Sequence, residues 1–264
     1  KYTAEPVVPA KDEWQRLLKQ MWRMKQFMQT DPMLSVSEIF GSFQGEGPSI
    51  GQPATFLRLG GCNLQCNWCD TPYTWDWTGH NGTKYDPEKE LRLLPLPDVI
   101  TAITSHAAPL VVITGGEPLL QQINLIPLLQ ELVLNHGKRI EIETNGTIRP
   151  HPTLIKYVTQ FNVSPKPHNA GMGLSKTHQP DTLRCLQATG KAVFKYVCQT
   201  TSDLDDVAWQ AEMCNLSPIY ISPEGWDLET LQQHTTALAD AVIQCGWNLT
   251  TRLHVLAYGN KRGK

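Results

Sequence analysis

Eight short runs rich in β-branched and aromatic residues punctuate this chain, at 35–40, 54–59, 110–114, 139–143, 160–163, 192–197, 218–221 and 249–253. Stretches with helical spacing lie between most of them, at 98–106, 119–136, 203–213 and 228–245. In the longest of these, Leu231, Leu238, Ala241, Val242 and Cys245 recur close to a helical period. Alternating strand and helix units predict a parallel sheet, because a parallel neighbour is reached only through a crossover. In parallel sheets and barrels, chemistry collects at the C-terminal strand ends. The unusual residues of this chain lie there: Gly60-Gly61-Cys62, Gly115-Gly116-Glu117-Pro118, Thr144-Asn145-Gly146 and Ser164-Pro165-Lys166 each follow a predicted strand. Four separate loops are thus expected to meet on one face.

The first of these loops carries three cysteines, Cys62, Cys66 and Cys69, in a C-x3-C-x2-C spacing. Three thiolates so close in sequence can hold one metal centre, and no fourth cysteine lies nearby. Iron–sulfur clusters take four thiolates as a rule, so three predict a four-iron cluster with one iron open to a ligand, in the way that catalytic zinc sites keep a position free. Zinc is the alternative. It needs a fourth ligand, for which His80 is nearest in sequence, and zinc loops more often come as two separated pairs. A disulfide framework fits least: there are 7 cysteines, and Cys185, Cys198, Cys214 and Cys245 are scattered singly.

A chain of 264 residues can bury a full core, and 41% hydrophobic with 18% charged residues is ordinary for a globular protein. The net charge of -2 argues against a nucleic-acid footprint. No apolar stretch approaches the roughly 20 residues that span a bilayer, and Lys1–Pro6 has no signal-peptide character. The expected setting is the cytoplasm. Two regions depart from the alternation. Residues 1–33 place Trp14, Leu17, Leu18, Met21, Met24 and Met28 at helical spacing, which predicts a helical extension ahead of a core domain over 34–264, with surface packing or a dimer contact as its use. Residues 73–97 are rich in Trp, Gly and Pro and predict an insertion or lid with little regular structure.

The cysteine loop followed by Thr114-Gly115-Gly116-Glu117-Pro118 resembles the radical S-adenosylmethionine (SAM) superfamily. Within it, the runs Ile39-Phe40-Gly41-Ser42-Phe43-Gln44-Gly45-Glu46-Gly47, Thr55-Phe56-Leu57-Arg58-Leu59-Gly60-Gly61-Cys62, Cys66-Asn67-Trp68-Cys69-Asp70-Thr71 and Ser164-Pro165-Lys166 are similar to the 7-carboxy-7-deazaguanine synthase family, over about 34–254. The resemblance implies an α/β fold, a partial (β/α)6-type parallel barrel. It implies a [4Fe–4S] cluster on Cys62, Cys66 and Cys69 whose open iron is chelated by SAM, and reductive cleavage of SAM to a 5′-deoxyadenosyl radical. That radical would take hydrogen from C6 of 6-carboxy-5,6,7,8-tetrahydropterin; ring contraction with loss of ammonia would give 7-carboxy-7-deazaguanine for queuosine-type pathways. A one-electron donor such as flavodoxin and a homodimer complete the expectation. The other enzyme considered, a glycyl-radical activase, shares the cysteine and GGEP motifs but needs a groove for a large protein partner.

The resemblance implies SAM contacts from Trp68, Cys69, Asp70, Gly116, Glu117, Ser164, Pro165, Lys166 and Ser222, the last standing where the family often has Gln. Glu117 offers a carboxylate to the SAM ammonium, and Glu143, Thr144 and Asn145 reach the ribose or the pterin. Phe43, Gln44, Gly45, Arg58, Thr114 and His254 are the implied substrate contacts, while Arg252 does not match the family pattern. The residue types agree. A guanidinium at a strand end needs an anion, and the pterin carboxylate supplies one through a two-point fork. Mg²⁺ takes oxygen ligands and keeps several waters, so Thr71 is the implied metal ligand, with helix capping by Asp70 or Thr71 as the competing role.

Overall fold

The computed structural model describes residues 32–264. Nine strands make one sheet: β1 (Met33–Phe43), β2 (Pro53–Leu59), β3 (Arg92–Pro95), β4 (Leu110–Gly115), β5 (Arg139–Thr144), β6 (Gln160–Val163), β7 (Ala192–Cys198), β8 (Ile219–Pro223) and β9 (Asn248–Leu249). Their order is β3-β1-β2-β4-β5-β6-β7-β8-β9, so the sheet has two free edges and is not closed into a barrel. From β2 onward every neighbour is parallel, while β1 runs antiparallel to both β2 and β3. The helices are α1 (Pro87–Glu90), α2 (Leu96–Thr104), α3 (Gln122–Leu134), α4 (Pro152–Tyr157), α5 (Leu174–Thr177), α6 (Pro180–Ala188), α7 (Asp203–Cys214), α8 (Leu228–Gln244) and α9 (Leu253–Tyr258).

Side chains alternate across a strand with a period of two, and here the alternation separates core from site. Leu57, Leu59, Val111, Ile113, Ile140, Ile142, Phe161, Val163, Phe194 and Tyr196 face the helices and form the main core with Leu125, Leu128, Leu129, Leu132, Leu186, Val207 and Leu238. The opposite face carries Arg58, Thr114, Glu143, Asn162 and Lys195, and only its floor is apolar, where Phe56, Val112, Ala54 and Leu110 pack beside Phe40. A sheet face covered by polar groups at this density is built to meet a polar ligand, since each buried polar group needs a partner.

Most predicted strands are present within a residue or two. The exceptions have local causes. Of the predicted run 249–253 only Leu249 is strand, as the second residue of β9; Arg252 then caps α9, whose Leu253 N–H donates to Gly45 O at 2.9 Å. Insertion 73–97 is more regular than expected, with α1 and the edge strand β3 pairing Leu93 to Ser35 of β1. The short helices α4, α5 and α6 had no counterpart in the sequence reading; at 6, 4 and 9 residues they are too brief for a clear period. The predicted helix over 1–33 falls outside the described residues except for Pro32 and Met33, and Met33 already belongs to β1.

Candidate active site

The loops after β2, β4, β5 and β6 do converge. One pocket at the C-terminal strand ends is lined by Cys62, Cys66, Cys69, Gly115, Gly116, Thr144, Asn145, Ser164 and Lys166, together with Arg58, Thr114 and Glu143 of the inner sheet face. The approach of the cysteine loop to the GGEP loop depends on glycine. Gly115 has φ +134°, and a Cβ on Gly116 would lie 2.0 Å from the Gly61 carbonyl oxygen, so no side chain fits at the contact. The Glu117 N–H donates to that same oxygen at 2.8 Å.

Glu117 itself does not line the pocket. Its buried carboxylate accepts from Leu119 N–H at 3.0 Å, Thr144 Oγ1 at 2.8 Å and Asn145 N–H at 2.7 Å, which ties the β4 loop to the end of β5. Desolvation raises its pKa against these bonds. The carboxylate reads as a brace that fixes the turn. Pro165 and Ser222 are also absent from the pocket lining; Ser222 is fully buried and its Oγ has no hydrogen-bond partner among the described residues. The other sequence-derived site residues, Phe43, Gln44, Gly45, Arg58, Trp68, Asp70, Thr71, Thr114, Gly116, Ser164, Lys166 and His254, all line the pocket.

The three thiols fit a cluster. Leu64, Cys66 and Ala170 form a small apolar nest with Cys62, Trp68, Cys69 and Met172 packed on it. Trp75 Nε1–H donates to Cys69 Sγ at 3.3 Å and Leu64 N–H to Cys62 Sγ at 3.4 Å, the kind of N–H···S bond that tunes cluster potentials. Burial pushes the Cys62 thiol up to about 12 and the Cys66 thiol to about 11, so a metal centre is needed to hold them as thiolates. Among the described residues no three His, Cys, Asp or Glu side chains gather around one ion-sized position. Lys166 places its ammonium over the Trp68 ring at 5.2 Å and donates to Ser164 Oγ at 2.9 Å, a cation poised for a carboxylate such as that of SAM.

Elsewhere in the pocket, Gln44 Nε2 donates to Glu143 Oε1 at 3.2 Å and Thr114 Oγ1 to Glu143 Oε2 at 2.7 Å. Arg58 pairs through Nε with Glu38 Oε2 at 3.0 Å, and its two Nη atoms have no hydrogen-bond partner among the described residues. A two-point donor therefore remains for an anion in the pocket. Thr71 occupies the cap position of the 3₁₀ turn Pro72–Thr74 but makes no capping bond; among the described residues its hydroxyl has only Cys69 Sγ, at 3.8 Å. The capping role is therefore not used, and the hydroxyl is free to ligate an ion.

A charged network that the sequence did not announce closes the site. Glu46 is ion-paired with Lys195 and accepts from Arg252 Nε at 3.1 Å; the three side chains are 12%, 13% and 9% exposed. Arg252 also donates to Gly225 O at 2.8 Å and pairs with Asp70. Against desolvation, Lys195 and Arg252 hold the Glu46 carboxyl well below its ordinary value of 4.5. The sign follows: a depressed folded pKa means Glu46 stabilises the fold above that ordinary value, and the contribution drains as the pH falls toward the folded value. The melting temperatures of wild type and Glu46→Gln are expected to differ most near neutral pH and to approach one another between about pH 5 and pH 3. A gap that stays constant through that window would refute the pairing.

Comparison with known proteins decides the family. Residues 57–165 match the radical SAM superfamily. A protein named 7-carboxy-7-deazaguanine synthase from Pyrobaculum aerophilum is 34% identical over 244 residues, covering 90% of this chain and 100% of that one. This chain belongs to the 7-carboxy-7-deazaguanine synthase family. The protein of the same name from Hyperthermus butylicus is 34% identical over 231 residues, 85% of this chain and 92% of its own length. Among solved structures, QueE from Escherichia coli superposes with a TM-score of 0.65 at 26% identity, covering 87% of this chain and 98% of that one. Streptococcus suis SuiB bound to precursor peptide SuiA, at TM-score 0.51, 13% identity and coverage of 95% of this chain and 56% of that one, shares the fold alone.

Proposed function

We infer that this chain is a radical SAM lyase that converts 6-carboxy-5,6,7,8-tetrahydropterin to 7-carboxy-7-deazaguanine with loss of ammonia. The observation that carries the reading is the joint placement, in one pocket over a polar sheet face, of the cysteine loop and of Arg58, whose two Nη atoms have no hydrogen-bond partner among the described residues. When bound, a [4Fe–4S] cluster with SAM supplies the one-electron chemistry that generates a carbon radical. The chain's own residues do the rest. Cys62, Cys66 and Cys69 would hold the cluster; Gly116, Ser164, Lys166 and Trp68 would seat SAM; Thr71 would hold Mg²⁺. Arg58 would anchor the pterin carboxylate, while Gln44, Gly45, Thr114, His254 and Glu143, which accepts from Gln44 and Thr114, would offer hydrogen-bonding groups to its heterocycle. Holding the reacting carbon still matters because small displacements from attack geometry cost rate steeply. The glycyl-radical activase alternative is not favoured, since the relatives that cover nearly the whole chain carry the synthase name.

Incubation of reconstituted protein with the carboxypterin, SAM, Mg²⁺ and a low-potential reductant should yield the deazaguanine by mass spectrometry; no product, with SAM cleaved, would reject this substrate. The metal part has its own test. Activity is expected to rise with added Mg²⁺, Thr71→Ala to lose most of that rise, and Thr71→Ser to keep much of it because the hydroxyl survives. Because Thr71 makes no capping bond, the melting temperature of Thr71→Ala should stay at the wild-type value. An Ala variant that melts lower and keeps its Mg²⁺ response would return Thr71 to a structural role.

A one-electron donor such as a flavodoxin is part of the reading, and the exposed Asn63, Gln65 and Asn67 of the cysteine loop support an approach from that side. A homodimer is also part of it, supported by the apolar surface of Leu93, Leu120 and Ile123, with sedimentation as the check. All 7 cysteines are free thiols, which supports a reducing, cytoplasmic setting. No helix among the described residues is long and apolar enough to cross a membrane.

A further inference from the structure

Asp70 lies beside Thr71 in the chain, both line the pocket, and a carboxylate is the usual protein ligand for Mg²⁺. Asp70 would therefore be the natural second ligand. The structure gives its carboxylate another partner. Arg252 pairs with Asp70 through Nη2, with Glu46 through Nε, and with the Gly225 carbonyl through Nη1, so one guanidinium spans three separate loops. Arg252 is 9% exposed while Asp70 is 44% exposed, so the arginine is the fixed member of the pair and the aspartate the movable one. The charges agree with this division. Glu46 keeps Lys195 as a second cation, whereas Asp70 has no other ion-pair partner among the described residues.

We propose that Arg252 is a positioning residue that withholds Asp70 from the metal, leaving Thr71 as the one protein ligand and the substrate carboxylate as the main anionic ligand of Mg²⁺. The inference rests on the Thr71 metal site proposed above. Its consequence is a metal held weakly by the protein and tightly only when the pterin is present. Mg²⁺ affinity then reports substrate occupancy, because a site with fewer fixed charges binds the ion more weakly.

The test uses reconstituted protein with SAM and the carboxypterin, and Mn²⁺ in place of Mg²⁺ so that binding is read by electron paramagnetic resonance without turnover. Asp70→Asn is expected to leave Mn²⁺ affinity at the wild-type value. Arg252→Gln frees Asp70 and is expected to tighten Mn²⁺ about tenfold, as an added carboxylate ligand should, and to let the ion bind without the pterin. Arg252→Gln combined with Asp70→Asn should return to wild-type affinity, which separates a released ligand from general loosening of the site. Melting curves accompany each variant; if Arg252→Gln does not fold, Asp70→Asn alone decides. Weakened Mn²⁺ binding in Asp70→Asn, or wild-type affinity in folded Arg252→Gln, would overturn the proposal. Wild-type protein that binds no Mn²⁺ beside the pterin would instead overturn the Thr71 site, and this inference with it.

Discussion

Cys66→Ala protein, taken through anaerobic reconstitution, is expected to hold no iron–sulfur cluster and to cleave no SAM, where wild type should carry about four irons per chain. The expectation is near-total loss because the structure offers no substitute ligand. Cys198 and Cys214 are buried in the core among the helices, Cys185 lies on α6, and Cys245 caps α8 at the surface; none of the four lines the pocket. The nearest carboxylate in sequence, Asp70, is engaged by Arg252. Cys62→Ala and Cys69→Ala should behave alike, and Cys69→Ala should also orphan the Trp75 Nε1–H that now donates to its sulfur. Cys198→Ser should retain the cluster absorption. Iron and sulfide analysis of Cys66→Ala settles the matter: wild-type iron content there would refute the three-thiolate site.

The strands, the loop convergence and the thiol triplet could be read from the sequence because each is local. A run such as Leu110–Gly115 declares a strand through its own side chains, and Gly115-Gly116 declares a close approach through the lack of them. Long-range charge pairing leaves no such trace. Lys195 meets Glu46 across 149 positions and Arg252 meets the same carboxylate across 206, so nothing near either cation marks it as part of the site. Arg252 stood out only as a departure from the family pattern, and its use became visible when α9 folded back against Gly45. Glu117 shows a second kind of hidden contact. Its motif placed it at the loop after β4, but the three donors that its carboxylate takes from its own loops leave no mark in the sequence. The reversed direction of β1 has a local cause as well: the segment 44–52 between β1 and β2 is too short for the crossover that a parallel neighbour needs.

Arg58→Lys is expected to lower kcat/KM for the carboxypterin by on the order of 100-fold, about 3 kcal/mol, as for truncating one side of a desolvated charge pair. The argument is one of donor count. Arg58 stands opposite Glu38 on the β1–β2 ladder and gives it Nε at 3.0 Å. Glu38 also accepts from Tyr73 Oη at 3.1 Å and from Arg262 Nε at 2.6 Å, and Arg262 pairs in turn with Glu90 at 2.7 Å, so Glu38 is shared and takes only the Nε of Arg58. Phe40 supports the guanidinium plane from 5.7 Å. Lysine keeps the charge but loses the fork. One ammonium cannot reach Glu38 and also make two parallel bonds to a substrate carboxylate, and it is drawn to the fixed anion. SAM affinity should hardly change, since Lys166 and Ser164 lie on the loop after β6. Kinetics with varied pterin, SAM binding by calorimetry and a melting curve separate the two roles of this arginine. A loss confined to the pterin supports the anchor, whereas equal losses for SAM and pterin, with a lowered melting temperature, would make Arg58 a strut of the sheet held by Glu38.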